Sequence, residues 1–315
     1  MKKGGSRNYN YMKKSLLIFL ILGILTVIDA RSQDTIRVLA IGNSFSADAV
    51  ENHLYELGRQ EGVTFIIGNL YIGGCSLQRH WQNAQDDKPD YEYRKINATG
   101  KLRVTKQATL MKGITDERWD YVTFQQNSPN SGFLDTYFPY LDQLTAYVRE
   151  HTTNPGVKLV FHQTWAYAWD SDHADFPRYN RDQKLMYRSI IKASTKAAAK
   201  AGIRYIIPSG TAIQNGRSSF IGDRFCRDGY HLKLDLGRYT AASTWFEFLT
   251  GRSVIGNGYA PATLTPLEVI TVQRAAHEAV ARPFEVTTIR LSDRRWSSPS
   301  PTFAEDFPTW LRSNP

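Results

Sequence analysis

Three residue types capable of acyl-transfer chemistry stand at two ends of the chain. Ser44 lies in Thr35 to Ser46, TIRVLAIGNSFS, and Asp228 and His231 lie in Cys226-Arg227-Asp228-Gly229-Tyr230-His231-Leu232. Asp and His three apart on a loop can face each other across one turn. The carboxylate then accepts the imidazole Nδ1–H and holds the tautomer whose Nε2 takes a proton. A serine beside that Nε2 would attack an acyl carbon, with the histidine acting first as base and then as acid. Such chemistry also needs amide donors for the oxyanion. The sequence offers a glycine amide in Ile72-Gly73-Gly74-Cys75-Ser76 and an amide side chain in Gln125-Gln126-Asn127-Ser128.

The elements around these residues place them at one edge of a sheet. Ile36, Val38, Leu39, Ala40 and Ile41 form an apolar run suited to a strand buried on both faces. The run stops at Gly42, and Ala49, Val50, Leu54 and Leu57 then recur at helical spacing. Ser44 therefore falls where a buried strand turns into a helix. There it is either a helix cap or a nucleophile with helix N-terminal amides beside it. Further strands are expected at 64–71, 120–126, 157–162 and 204–208, and helices at 137–148, 184–201, 235–249 and 265–281. The glycine pair, the Gln-Gln-Asn run and His162 each follow a strand. Alternating strands and helices predict an α/β three-layer sandwich with a five-stranded parallel sheet of the flavodoxin-like kind, whose ligands bind at the carboxyl ends of the strands. The segment 86–105, with Tyr91, Tyr93, Ile96, Leu102 and Val104 around Asn97-Ala98-Thr99-Gly100, reads as a hairpin inserted between sheet units.

Together the motifs resemble those of the SGNH, or GDSL-type, hydrolases. Gly42-Asn43-Ser44-Phe45-Ser46 is similar to their first block, with Asn43 where Asp is usual; Gly73-Gly74 resembles the glycine block and Asp228-Gly229-Tyr230-His231 the final one. The resemblance is strongest to a secreted branch with GNSFS, GGCSL and DGYHL, a domain-of-unknown-function family, and spans about residues 35 to 282. It implies the SGNH hydrolase fold, a Ser44-His231-Asp228 triad and an oxyanion hole. The third block departs from the family's Gly-x-Asn-Asp, so either Asn127 or Gln125 would supply the side-chain amide. The implied activity is a serine esterase removing short acyl groups such as acetyl from carbohydrate. A non-catalytic carbohydrate-binding protein and an acyltransferase are the alternatives on the same frame.

Substrate would meet His162 and the aromatic run Trp165, Tyr167 and Trp169, whose flat faces suit sugar rings if they are not a local cap on the core. The acidic run Asp170-Ser171-Asp172-His173-Ala174-Asp175 lacks the Gly and closing Glu of a calcium loop. No metal and no cofactor is expected. Cys75 and Cys226 each lie within two residues of a motif that must converge, which leaves open a disulfide or two separate small core residues.

The charge of +9 suggests nucleic acid, but six basic side chains and one acid fall within residues 1–32, leaving +4 in the remainder. No basic run interleaved with aromatics remains, which argues against nucleic-acid binding. Lys13-Lys14 followed by the apolar Leu16 to Ile28 reads as a secretory signal, cleaved after Ala30-Arg31-Ser32, with Met12 a possible start. A signal peptide over 1–32, one domain over 33–290 and an extended Ser/Pro-rich tail over 291–315 are expected. The product would be periplasmic or extracellular, with no stable membrane insertion after cleavage.

Overall fold

β1 (Asp34–Gly42) carries alternate side chains into two different cores. Val38 and Ala40 enter one apolar cluster with Phe45, Val50, Leu54 and Trp245. Leu39 and Ile41 enter a second with Leu70, Leu110, Leu141 and Phe161. A strand whose two faces are both apolar must be covered on both sides, and this one organises a three-layer arrangement. These positions come from a computed structural model that describes Met1 and residues 34–290. The chain divides into a unit of residues 1–34 and a unit of residues 35–315. The expected leader (1–32) and tail (291–315) lie outside the described residues. Among those described, no helix is long and apolar enough to cross a membrane.

The sheet has seven strands in the order β4-β3-β2-β1-β5-β6-β7, with β2 Val63–Tyr71, β3 Tyr91–Ile96, β4 Leu102–Ala108, β5 Tyr121–Phe124, β6 Lys158–His162 and β7 Tyr205–Ile207. β1, β5, β6 and β7 pair in parallel. The five expected strands thus stand in the spatial order second-first-third-fourth-fifth, the doubly wound arrangement. The sheet corrects the five-stranded, all-parallel expectation, because β3 and β4 add two antiparallel strands to the outer edge of β2. The hairpin expected between the second and third strands forms as β3 and β4 and extends the sheet itself. Its Tyr91 and Tyr93 enter the second apolar cluster and Ile96 the first, and Leu70 pairs with Tyr93 and Ile67 with Ile96. An isolated hairpin is marginal in water and the free edge of β2 offers unpaired N–H and C=O groups, so the two meet needs together.

Helices cover both faces: α1 Ser44–Val50, α2 Leu54–Gln60, α3 Leu77–Gln85, α4 Leu110–Thr115, α5 Tyr140–His151, α6 Gln183–Lys200, α7 Ser209–Arg217, α8 Leu236–Thr250 and α9 Pro266–Ala281. α6 starts at the Asp182 cap, and α9 starts with a Thr265–Glu268 capping box and Pro266 in its first turn. α5 starts three residues later than its apolar spacing suggests, after Pro139 at the cap position. α3, α4 and α7 are short and lie outside the expected helices. α7 (SGTAIQNGR) is buried along its whole length, so packing rather than propensity makes it helical.

Candidate active site

The turn out of β1 admits only glycine at 42. A Cβ there would lie 2.5 Å from Ser46 Oγ and 2.7 Å from its Cβ, closer than atoms approach. Asn43, not Ser44, is the cap of α1: it has extended backbone, and its Oδ1 accepts the Phe45 N–H at 2.9 Å. Ser44 is the first helical residue, at the carboxyl edge of the sheet. Its hydroxyl is therefore released from capping.

His231 reaches Ser44 from a closed loop. Cys226 and Leu232 form a bridge across its base, and Arg227 N donates to His231 O at 2.8 Å. Gly229 makes the turn at φ +84°, where a side chain would press on Ser171. Asp228 Oδ2 accepts His231 Nδ1–H at 2.7 Å, and Asp228 Oδ1 accepts the backbone N–H of His231 at 2.7 Å and of Tyr230 at 3.2 Å. His231 Nε2 is 2.9 Å from Ser44 Oγ. Partial burial pushes the Asp228 carboxyl up, but the hydrogen bonds from the His231 ring and from the two backbone amides outweigh it and hold the group below its ordinary value. A carboxylate fixes the imidazole, and the imidazole has its free nitrogen on a hydroxyl.

Asp48 was not among the residues singled out from sequence, and it joins the two halves of this arrangement. It sits one turn after Ser44, buried, and its Oδ2 accepts the Leu232 N–H at 2.8 Å. Arg238 Nη2 pairs with it at 2.6 Å. Burial pushes the carboxyl up against the pull of Arg238. An acid inside the otherwise apolar Ala47-Asp48-Ala49-Val50 was the available signal.

The third block laces the strand ends together with three consecutive side chains. Asn127 Nδ2 donates to Gly74 O at 3.1 Å. Gln126 Oε1 accepts from Leu77 N at 3.1 Å and from Asn127 N at 2.9 Å. Gln125 is buried, donates from Nε2 to Asn43 Oδ1 at 2.8 Å, and faces His162 Nδ1 at 2.8 Å with Oε1. Of the two amides the sequence left open, Gln125 is buried and bonded to Asn43 and His162, whereas Asn127 is part-exposed and bonded beside Gly74. Gly74 is exposed, at φ +63°, with open space where a Cβ would be.

Three of the four expected substrate contacts are instead interior. His162 is 1% exposed, and burial pushes its imidazole down to about 3. Trp165 is fully buried and stacked on Phe45; its Nε1 donates to Tyr230 O at 2.8 Å. Tyr167 is fully buried, and its hydroxyl donates to Ser128 Oγ at 2.9 Å. These side chains support the loops from beneath, because the carboxyl ends of β5 and β6 are roofed by those loops. Trp169 alone of the four faces solvent, at 69% exposure. Its backbone N–H is held by Asp223 Oδ2 at 2.8 Å, and the preceding Ala168 N donates to Gly229 O at 2.7 Å.

Cys75 and Cys226 are both free, which decides between the two readings the sequence left open. Burial pushes the Cys75 thiol up to about 12 and the Cys226 thiol up to about 11.

Fold and geometry define a doubly wound α/β protein with serine, histidine and aspartate hydrogen-bonded in series at the carboxyl edge of its sheet. The chain belongs to the DUF4886 family, a domain of unknown function, whose model matches residues 37–279. It is 53% identical to a DUF4886 family protein from Bacteroides uniformis ATCC 8492, over 81% of this chain and 98% of that one, with a TM-score of 0.80. It is similar at 19% identity to a protein from Slackia heliotrinireducens described provisionally as an SGNH hydrolase (68% of this chain, 99% of that one, TM-score 0.48). At 10% identity it is similar to a variant of an acetyl-xylooligosaccharide esterase from Geobacillus Stearmophilus (68% and 94%, TM-score 0.44). No functionally curated protein matches it.

Proposed function

We propose that this protein is an exported serine esterase that hydrolyses short acyl esters, acetyl above all, on carbohydrate. The observation that carries the proposal is the unbroken series Ser44 Oγ, His231 Nε2, His231 Nδ1, Asp228 Oδ2, at 2.9 and 2.7 Å. In this reading His231 takes the Ser44 proton as the hydroxyl attacks the ester carbonyl, and then gives it to the departing sugar oxygen. Water, deprotonated by the same ring, releases the acid from the acyl-serine. Asp228 stays ionised and stabilises the imidazolium. The N–H groups of Ser44 and Gly74, with the second Nδ2 proton of Asn127, serve the oxyanion.

The carbohydrate part rests on Trp169, exposed on a loop bonded to Gly229 between Asp228 and His231, and on the leader read from Lys13-Lys14 and Leu16 to Ile28. An exported esterase meets glycans. The glycine turn at 73–74 lets backbone approach the acyl group closely, which suits a small acyl chain.

Incubation of the mature protein with acetylated oligosaccharides in ¹⁸O-water, followed by mass spectrometry, tests the reading. Labelled acetate and a glycan lighter by one acetyl are expected. Transfer of acetyl to a second glycan without labelled acetate would make the protein a transferase. Absence of acyl loss from every glycan, with Ser44 unreactive to a fluorophosphonate, would make it a non-catalytic binder.

A further inference from the structure

Behind Ser44 runs a buried hydrogen-bond chain that the triad does not include. Ser209 Oγ lies 3.0 Å from His162 Nε2, His162 Nδ1 lies 2.8 Å from Gln125 Oε1, Gln125 Nε2 lies 2.8 Å from Asn43 Oδ1, and Asn43 Nδ2 lies 3.0 Å from Cys75 O. Asn43, Gln125, His162 and Ser209 are each 2% exposed or less. The chain starts at the first residue of α7, crosses the ends of β6 and β5, and ends on the carbonyl next to Gly74.

Its polarity is fixed throughout. The carbonyl of Cys75 only accepts, so Asn43 must present its amide nitrogen there and its oxygen to Gln125 and Phe45. Gln125 must then give its nitrogen to Asn43 and its oxygen to His162. A carbonyl oxygen facing Nδ1 requires that Nδ1 carry the proton. The ring is neutral in this apolar setting, so Nε2 accepts from the Ser209 hydroxyl. Asn43, Gln125 and His162 cannot turn over without breaking at least two buried bonds each, costly to leave unmade.

Asn43 is where this chain meets the chemistry. It caps α1 immediately before Ser44 and also holds the backbone that follows Gly74. The two N–H groups assigned to the oxyanion, those of Ser44 and Gly74, belong to different loops, and this side chain joins the loops directly. We infer that Asn43 is a positioning residue for the oxyanion hole, and that His162, through its Nδ1–H tautomer and Gln125, holds the Asn43 amide in the orientation that clamps the glycine loop. An aspartate at 43 could still cap α1 and accept from Gln125, but it has no proton for Cys75 O. The requirement for a donor there accounts for an amide at this position. The inference rests on the esterase reading only for its kinetic consequence.

Three variants and one spectrum test it. With an aryl acetate, Asn43→Asp is expected to lower kcat at least about tenfold with KM within about twofold, because misplaced donors weaken the transition state rather than binding. His162→Phe, which removes both ring nitrogens, is expected to do the same. His162→Asn puts an amide nitrogen where Nδ1 stood and is expected to recover at least about fivefold of the kcat lost in His162→Phe. In the ¹⁵N spectrum of histidine-labelled wild type, the signal missing from His162→Asn should show a proton on Nδ1 and none on Nε2. It should not titrate between about pH 8 and about pH 5. A folded Asn43→Asp with wild-type kcat, equal losses in the two His162 variants, or a proton on Nε2 would each overturn the inference. A wild type with no turnover refutes the esterase reading instead, and the tautomer and its pH independence then decide the hydrogen-bond chain by themselves.

Discussion

Trp165 lies flat against Phe45, with ring centroids 4.3 Å apart and planes within 6°. Phe45 follows Ser44 on α1, and Trp165 Nε1 holds the carbonyl of Tyr230, the residue before His231. One buried indole therefore supports the serine and the histidine segments from below. Trp165→Ala should cost about 3–5 kcal/mol of stability, roughly 10 °C in Tm for a domain of this size. It should lower turnover of aryl acetate and acetylated glycan alike. Thermal unfolding with both assays checks this; a loss confined to the glycan would return Trp165 to the substrate surface.

Trp169 should behave in the opposite way. It is exposed, and only its backbone is tied, to Asp223. Trp169→Ala should leave Tm within about 2 °C. It should reduce kcat/KM for an acetylated oligosaccharide about tenfold more than for an aryl acetate, since the small ester needs no ring to stack on. Equal effects on the two substrates would remove Trp169 from the glycan site.

Ser44→Ala and His231→Ala should each remove most aryl acetate turnover, a loss of about 10³-fold or more, and the double variant should be little worse than either. Asp228→Asn should cost less than Ser44→Ala, because the nucleophile and base remain but the ring loses its orienting anion. Steady-state kinetics of the four proteins decides the point, and near-full activity in Ser44→Ala would end the proposed mechanism.

The low-lying Asp228 carboxyl makes a signed prediction for stability. Its folded value lies below the ordinary 3.8. Its contribution is therefore complete above about that pH and is lost as pH falls through the lower, folded value. Urea midpoints of wild type and Asp228→Asn should converge as pH falls from about pH 5 through the folded value. A gap that widens on acidification would show the sign to be wrong.

Two thiols should titrate when the protein is unfolded without reductant, since Cys75 and Cys226 are separate. In the native protein at neutral pH both should alkylate slowly, because burial raises both thiols and the thiolate is the reacting form. A single mass lower by two protons in the unreduced protein would show a bridge instead.

The sequence by itself determined the frame. Each of the five expected strands forms within a residue or two of its place, because an apolar run that ends at a glycine or a polar cluster has one economical use, a buried strand reaching its carboxyl edge. It also determined which residues stand at that edge, since Gly42, Gly74, Asn127 and Asp228 all follow from local turn chemistry. What sequence could not contain was the partner of each side chain across the fold. That the hairpin joins the sheet depends on a free edge of β2. That Trp165 and Tyr167 face inward while Trp169 faces out depends on which loop roofs β6. Gln125 serves His162 and Asn43 because strands β5, β6 and β1 lie side by side, an adjacency set by packing between residues 37 to 82 positions apart. Asp48 meets Leu232 across 184 residues. Hydrogen-bond direction in a buried network is decided by the last carbonyl in the series, and only the tertiary structure places that carbonyl.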